Sequence, residues 1–156
     1  MKKEYAERPT VRKEFWTQLL EALNSKSPLA QNVGASTDAW IGLALGMSGV
    51  SLNLVATREY VRAEIYINRG EADKNKRAFD FLSARKEEIE KAVGTQLDWA
   101  RMDGQVTCRI KFEKRGLNIF KQADWNEMIA FLVDAALRMH AAFREPVQEL
   151  RRLRAQ

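Results

Sequence analysis

Histidine and cysteine each occur once in this 156-residue chain, as His140 and Cys108. A single cysteine excludes an internal disulfide framework and suits a reducing cytoplasm. One histidine with one cysteine excludes a zinc site of the usual type within one chain. No Ser/His/Asp arrangement can be built on His140, whose neighbours Ala136, Met139 and Phe143 make it a packed or half-exposed helix residue. Long apolar runs are missing as well. The most apolar stretch, AWIGLALGM at 39–47, is far too short to span a bilayer. The opening MKKEYAERPT lacks the apolar core of a signal peptide. Together these absences predict a cytoplasmic protein with no membrane span. The eight glycines form neither a Gly-x-Gly-x-x-Gly fingerprint nor a P-loop, so no cofactor is expected.

What is present fits one globular domain over 1–156. Hydrophobic residues make up 46% and charged residues 30%, well inside the range of chains that fold. The formal charge is +5, and its excess lies mainly in 95–121, where six bases face three acids. A patch this small gives little polyanion affinity at physiological salt, so weak nucleic-acid binding is the most it predicts.

Periodicity sets the elements. Phe15, Trp16, Leu19, Leu20 and Leu23 follow helical spacing, predicting a first helix from an N-cap at Thr10 to about Asn24. A loop at 25–38 leads to strands at 40–47, 50–56 and 59–67, turning at Ser48-Gly49 and Thr57-Arg58. These turns predict Met47 opposite Val50, Leu45 opposite Leu52, Leu43 opposite Leu54, Leu54 opposite Val61 and Leu52 opposite Ala63. All of these fall on one face. A second helix is predicted over 72–93, with Ala78, Phe79, Phe81, Leu82, Ile89, Ala92 and Val93 inward and Gly94 as its left-handed cap. A hairpin of 96–102 and 105–113 turns at Asp103-Gly104 and sets Leu97 opposite Ile110 and Trp99 opposite Cys108. The last helix starts near Asp124, and Pro146 should kink or end it. Residues 147–156, with Val147, Leu150 and Leu153, would then form a short arginine-rich extension. The fold class is α+β: αβββαββα, a five-stranded antiparallel sheet with helices packed on one face.

The densest run of acids and bases is RKEEIEKAVGTQLDW at 85–99. Lys86 with Glu90, and Glu87 with Lys91, are spaced for surface ion pairs. Asp98 is predicted to pair across the hairpin with Arg109. Positions balanced in this way form a solvated face, not a two-carboxylate site. A restriction-type nuclease would need a Glu-x-Lys on a core strand, and the strands offer Glu64-Ile65-Tyr66 and Glu113-Lys114-Arg115 instead. No catalytic residue and no metal ligand is therefore assigned. Cys108 is read as core volume.

The outer face of the sheet is the candidate interaction surface. It carries Trp40, Asn53, Tyr60, Arg62, Tyr66, Arg109 and Lys111. Aromatics among bases on an open sheet suit single-stranded nucleic acid or a protein interface. They equally suit a solvated face held by cross-strand pairs.

The chain resembles a bacterial and phage-associated domain-of-unknown-function family, number 4268. The resemblance rests on Phe15-Trp16, Trp40, SGVSLNLV, NKRAFDFLSARKEEIEKAVGTQLDW at 75–99, Arg109-Ile110 and Ala123-Asp124-Trp125. Its members stand alone or close longer proteins, some with nuclease-like or restriction-associated regions. This implies an accessory role near DNA-handling or defence systems and supplies no catalytic residues. The element order is also similar to that of type III secretion chaperones, which dimerise and bind extended partner segments, although those are typically acidic. The expected function is a non-enzymatic interaction domain, a homodimer with a protein partner. The alternative is a nucleic-acid-binding accessory module of a restriction, defence or mobile-element system.

Overall fold

A computed structural model describes residues 2–155, with side chains over 7–153. The elements are α1 (Lys2–Asn24), β1 (Trp40–Met47), β2 (Val50–Ala56), β3 (Tyr60–Ile67), α2 (Ala72–Ser83), α3 (Lys86–Val93), β4 (Asp98–Ala100), β5 (Cys108–Arg115) and α4 (Trp125–Ala155). All strand pairings are antiparallel, in the order β1-β2-β3-β5-β4. The α+β class and five-stranded sheet are as expected. No helix of the described residues is long and apolar enough to cross a membrane.

One core fills the space between sheet and helices. α4 lies against β1, β2 and β3, and α1 and α3 pack on α4. From α1 come Phe15, Trp16, Leu19 and Leu23, all fully buried. Removing each such side chain from water is worth about 1.5–3 kcal/mol. Phe15 meets both Trp16 and Trp125 edge-on, at 5.1 and 5.4 Å between ring centroids. The two indoles close onto backbone: Trp16 Nε1 donates to Asp38 O at 2.9 Å and Trp125 Nε1 to Ile119 O at 2.6 Å.

Two helix ends differ from expectation. Thr10 is no N-cap, because α1 already runs from Lys2 and carries Pro9 inside it. α4 continues through Pro146. Val147 and Leu150, expected on a separate extension, are buried in the core beside Ala142 and Phe143, and only Leu153 is exposed. Packing on both sides of the proline outweighs the hydrogen bond it lacks.

The predicted second helix is two. At the break, Arg85 N–H turns to Leu82 O at 2.9 Å, and the orphaned Phe81 carbonyl accepts from Arg85 Nη1 at 2.9 Å. The guanidinium also lies over the Phe81 ring, with Cζ 3.7 Å from the centroid. One residue thus breaks the helix and satisfies the carbonyl it frees. α3 ends as expected at Gly94, in the left-handed region at φ 91°. Ala92, expected inward, is exposed.

Every predicted strand register keeps its face, yet most slip by two residues. Met47 does oppose Val50, but Leu43 opposes Leu52 and Ile41 opposes Leu54. A bulge at Leu45 and Gly46, the latter at φ 86°, takes up the difference. Leu54 opposes Ala63 and Leu52 opposes Ile65, because the turn is Arg58-Glu59. Thr57 sets that turn: its hydroxyl accepts from the N–H groups of Glu59 and Tyr60, both at 3.1 Å. In the last hairpin Trp99 opposes Ile110, not Cys108, and Asp98 opposes Lys111, not Arg109. The chain does turn at Asp103-Gly104, where Gln105 N–H donates to Met102 O at 2.8 Å, but the strands do not run into it directly: residues 101–107 make a longer loop.

Candidate functional site

The outward side chains form rows across the strands. One row runs Trp40, Val55, Arg62, Glu113; the next Gly42, Asn53, Glu64, Lys111; the third Ala44, Ser51, Tyr66, Arg109. The middle row sinks and the outer rows rise around it, leaving a groove of about 490 Å³. Its lining comes from β1, β2, β3, β5 and the adjoining turns, with no helix among the described residues contributing. Six of the seven predicted residues meet there: Trp40, Asn53, Tyr60, Arg62, Tyr66 and Arg109. Lys111 does not. It lies in a neighbouring polar depression, 3.9 Å from the Asp98 carboxylate.

The face is not simply solvated. Glu64 is only 1% exposed and Asn53 only 9%. Two guanidiniums hold the buried Glu64 carboxylate. Arg109 Nη1 donates to its oxygens at 3.0 and 3.3 Å, and Arg62 Nη1 donates to Oε1 at 3.1 Å. Arg62 also donates from Nε to Glu113 Oε1 at 2.8 Å, and Glu113 Oε2 accepts from Arg115 Nη1 at 2.9 Å. Acids and bases therefore alternate across β3 and β5. Burial by itself would raise the Glu113 carboxyl, but hydrogen bonds from Arg62 and Arg115 outweigh it and hold the group below the usual carboxylate range. Burial likewise works against charge on Arg62, and its bonds to Glu113 and Glu64 more than offset that.

The aromatics divide into two kinds. Tyr60 carries Arg62 over its ring at 4.4 Å and Arg115 at 5.3 Å, while Tyr66 carries Arg109 at 5.0 Å. Trp40 is 49% exposed. It reaches over Gly42, where an added Cβ would meet Trp40 Cζ3 at 3.4 Å and Asn53 Oδ1 at 3.3 Å. A glycine there lets the indole close one end of the groove.

The 85–99 run is structural. Neither Lys86–Glu90 nor Glu87–Lys91 closes as an ion pair. Glu90 instead accepts from Leu97 N–H at 2.7 Å and Trp99 Nε1 at 3.0 Å, tying α3 to the strand that follows. Those two bonds hold its carboxyl below the usual range. Asp98 lies across from Lys111, so the acids of this segment do not converge.

Sequence reading missed two residues of α2. Asn75 is fully buried; its Oδ1 accepts from Arg69 N–H at 2.6 Å and its Nδ2 donates to Val106 O at 2.9 Å. Lys76, 9% exposed, donates to the carbonyls of Arg101, Met102 and Thr107 at 2.6, 2.9 and 3.0 Å. This ammonium organises the 101–107 loop on either side of its Asp103-Gly104 turn. It also stands 3.4 Å from Cys108 Sγ. Burial raises that thiol, and Lys76 partly opposes the rise. The signal was in the sequence: both residues lie within one turn of Phe79 on the inward face of the helix. His140 is half-buried on α4, lowered by burial and then by Arg144. Among the described residues, no three of His, Cys, Asp and Glu gather as metal ligands would.

A family model described as a domain of unknown function (DUF4268) matches residues 11–147. The chain belongs to this family. The DUF4268 match reaches from the α1 core residues through the whole sheet to Val147 on α4, so it includes every residue of the groove. Neither a curated protein nor a solved structure matches the chain. The likeness of this DUF4268 chain to secretion chaperones thus rests on element order, and the split of α2 from α3 alters that order.

Proposed function

We propose that this DUF4268 domain is a non-enzymatic interaction module that holds a protein partner in the groove on the outer sheet face. The observation that carries this reading is the convergence of Trp40, Tyr60, Tyr66, Arg62 and Arg109 around a buried Glu64. Tryptophan, tyrosine and arginine are the side chains that most often anchor protein interfaces. The nucleic-acid alternative has less support. Arginines already lie over Tyr60 and Tyr66, Arg62 is spent on Glu64 and Glu113, Arg109 gives one nitrogen to Glu64, and Lys111 faces Asp98. Little unmatched positive charge is left for a phosphate backbone. An accessory place in a DNA-handling or defence system belongs to the same proposal, since a module of this kind acts through what it holds.

Self-association is also part of the proposal, through β1, which pairs only with β2 and so leaves one edge open. Val147 and Leu150 are buried and offer no surface for it.

A photo-crosslinking residue placed at Trp40 and, as a control, at exposed Ala141 on α4 tests the groove in cells. The reading requires a discrete protein adduct from position 40 that is absent from 141 and lost with Arg109→Glu. Sedimentation equilibrium of the purified chain tests self-association, with a dimer expected and Ala44→Pro on the β1 edge shifting it to monomer. A monomer that yields no position-40 adduct overturns both parts. Binding to single-stranded DNA that weakens steeply with salt would favour the nucleic-acid alternative.

A further inference from the structure

We propose that the groove recognises a carboxylate carried two positions from an apolar side chain on an extended segment of the partner; this rests on the partner-binding reading above. Two hydrogen-bonding groups in the groove are left unspent. Arg109 uses Nη1 alone on Glu64, and its Nε and Nη2 have no bond among the described residues. Asn53 is nine-tenths buried, and Ser51 Oγ meets its Oδ1 at 3.0 Å while Nδ2 has no partner among the described residues. That Nδ2 is open to the groove, so it can donate to an incoming acceptor.

Charge selects the kind of acceptor. Arg62 is spent, with Nε on Glu113 and Nη1 on Glu64. With Arg62 taken up by Glu113 and Glu64, Arg109 is the cation of the lining that still has donors on an open edge among the described residues. One carboxylate complements this; a polyanion does not. Trp40 and Val55 supply the apolar wall.

The shape favours a chain segment over a small molecule. Small-ligand sites enclose 70–90% or more of their ligand's surface, roughly speaking, whereas this groove lies open along the sheet. From Gly42 on β1, which the Trp40 indole covers, to Glu64 on β3, where the Arg109 guanidinium lies, is two strand spacings along one row, about 10 Å. In an extended segment, side chains two positions apart share a face with about 7 Å between Cα atoms, and their own length covers the remainder.

NMR titration of the ¹⁵N-labelled full chain with three probes tests the inference: acetyl-Phe-Ala-Asp-amide, acetyl-Phe-Ala-Asn-amide and N-acetylphenylalanine. The aspartate peptide should shift the Trp40 Nε1, Asn53 side-chain amide and Arg109 Nε signals and bind at least about tenfold tighter than the asparagine peptide. Arg109→Lys keeps a cation near Glu64 but removes the guanidinium edge, so it should cut that preference below about threefold. Trp40→Ala, at a half-exposed position, should weaken both peptides without changing the denaturation midpoint. Equal binding of the two peptides, shifts outside the groove, or no shifts from either would overturn the proposal. Tighter binding of N-acetylphenylalanine than of the aspartate peptide would overturn the chain-segment source and assign the groove to a small acid. If the two peptides bind alike while the position-40 adduct still depends on Arg109, the partner-binding reading stands and the carboxylate falls. If the aspartate peptide is preferred but no adduct forms, the failure lies in the partner reading.

Discussion

Arg109 Nη1 reaches both carboxylate oxygens of Glu64, at 3.0 and 3.3 Å, from a position diagonal to it on the neighbouring strand. The residue directly opposite Glu64 is Lys111, which turns away toward Asp98. The diagonal choice lets Arg109 cover Tyr66 with the same guanidinium that neutralises Glu64. Removing it by Arg109→Met leaves a buried carboxylate with Arg62 alone. A loss of about 1–3 kcal/mol is expected, and Glu64→Gln in the same chain should recover part of it. Urea denaturation with an unchanged slope and a shifted midpoint checks this.

Glu90 gives a pH-dependent term of known sign. Its carboxyl is held below the usual range by Leu97 N–H and then the Trp99 indole. A depressed folded value means the contribution is fully present above the unfolded value of about 4.3 and is lost as pH falls through the folded value. Glu90→Gln should therefore be less stable than the parent at pH 7, by about 1 kcal/mol, and the gap should narrow below about pH 4. Denaturation midpoints of both proteins between pH 3 and 7 would show it.

Lys76→Met should be among the most damaging single changes in α2. It leaves the carbonyls of Arg101, Met102 and Thr107 without their shared donor. A loss of about 2–4 kcal/mol is expected. Hydrogen exchange should speed up in residues 101–107 ahead of the rest of β5.

Pro146→Ala should stabilise the protein. α4 is continuous through this position, so alanine restores a backbone donor within an existing helix. The gain should be about 1–3 kcal/mol, read as a higher melting temperature. No change would mean that the carbonyl of Ala142 is already satisfied.

How far the sequence was legible depends on the question asked of each residue. Alternation settled that Leu43, Leu52, Leu54, Ala63 and Ile110 all face inward, and all of them do. It left the pairing open, because a shift of two residues keeps every side chain on its face and only a shift of one is penalised by burial. The bulge at Leu45-Gly46, the hydroxyl of Thr57 and the ammonium of Lys76 then chose the partners. The groove was legible as a list of outward residues. That Glu64 and Asn53 would be buried at its floor was not, since two strand neighbours and an indole from β1 are needed to cover them.

By itself, then, the sequence determined the α+β class, the number of strands, the inward face of each and six of the residues that line the groove. Local periodicity suffices for that, because burying one face is a property of each element taken alone. Only the tertiary structure decided the strand partners, the break between α2 and α3, the passage of α4 through Pro146 and the pairing of Glu64 with Arg109. Each of these depends on where one hydrogen-bonding group finds its partner across the sheet or between elements, and spacing along the chain carries no record of that distance.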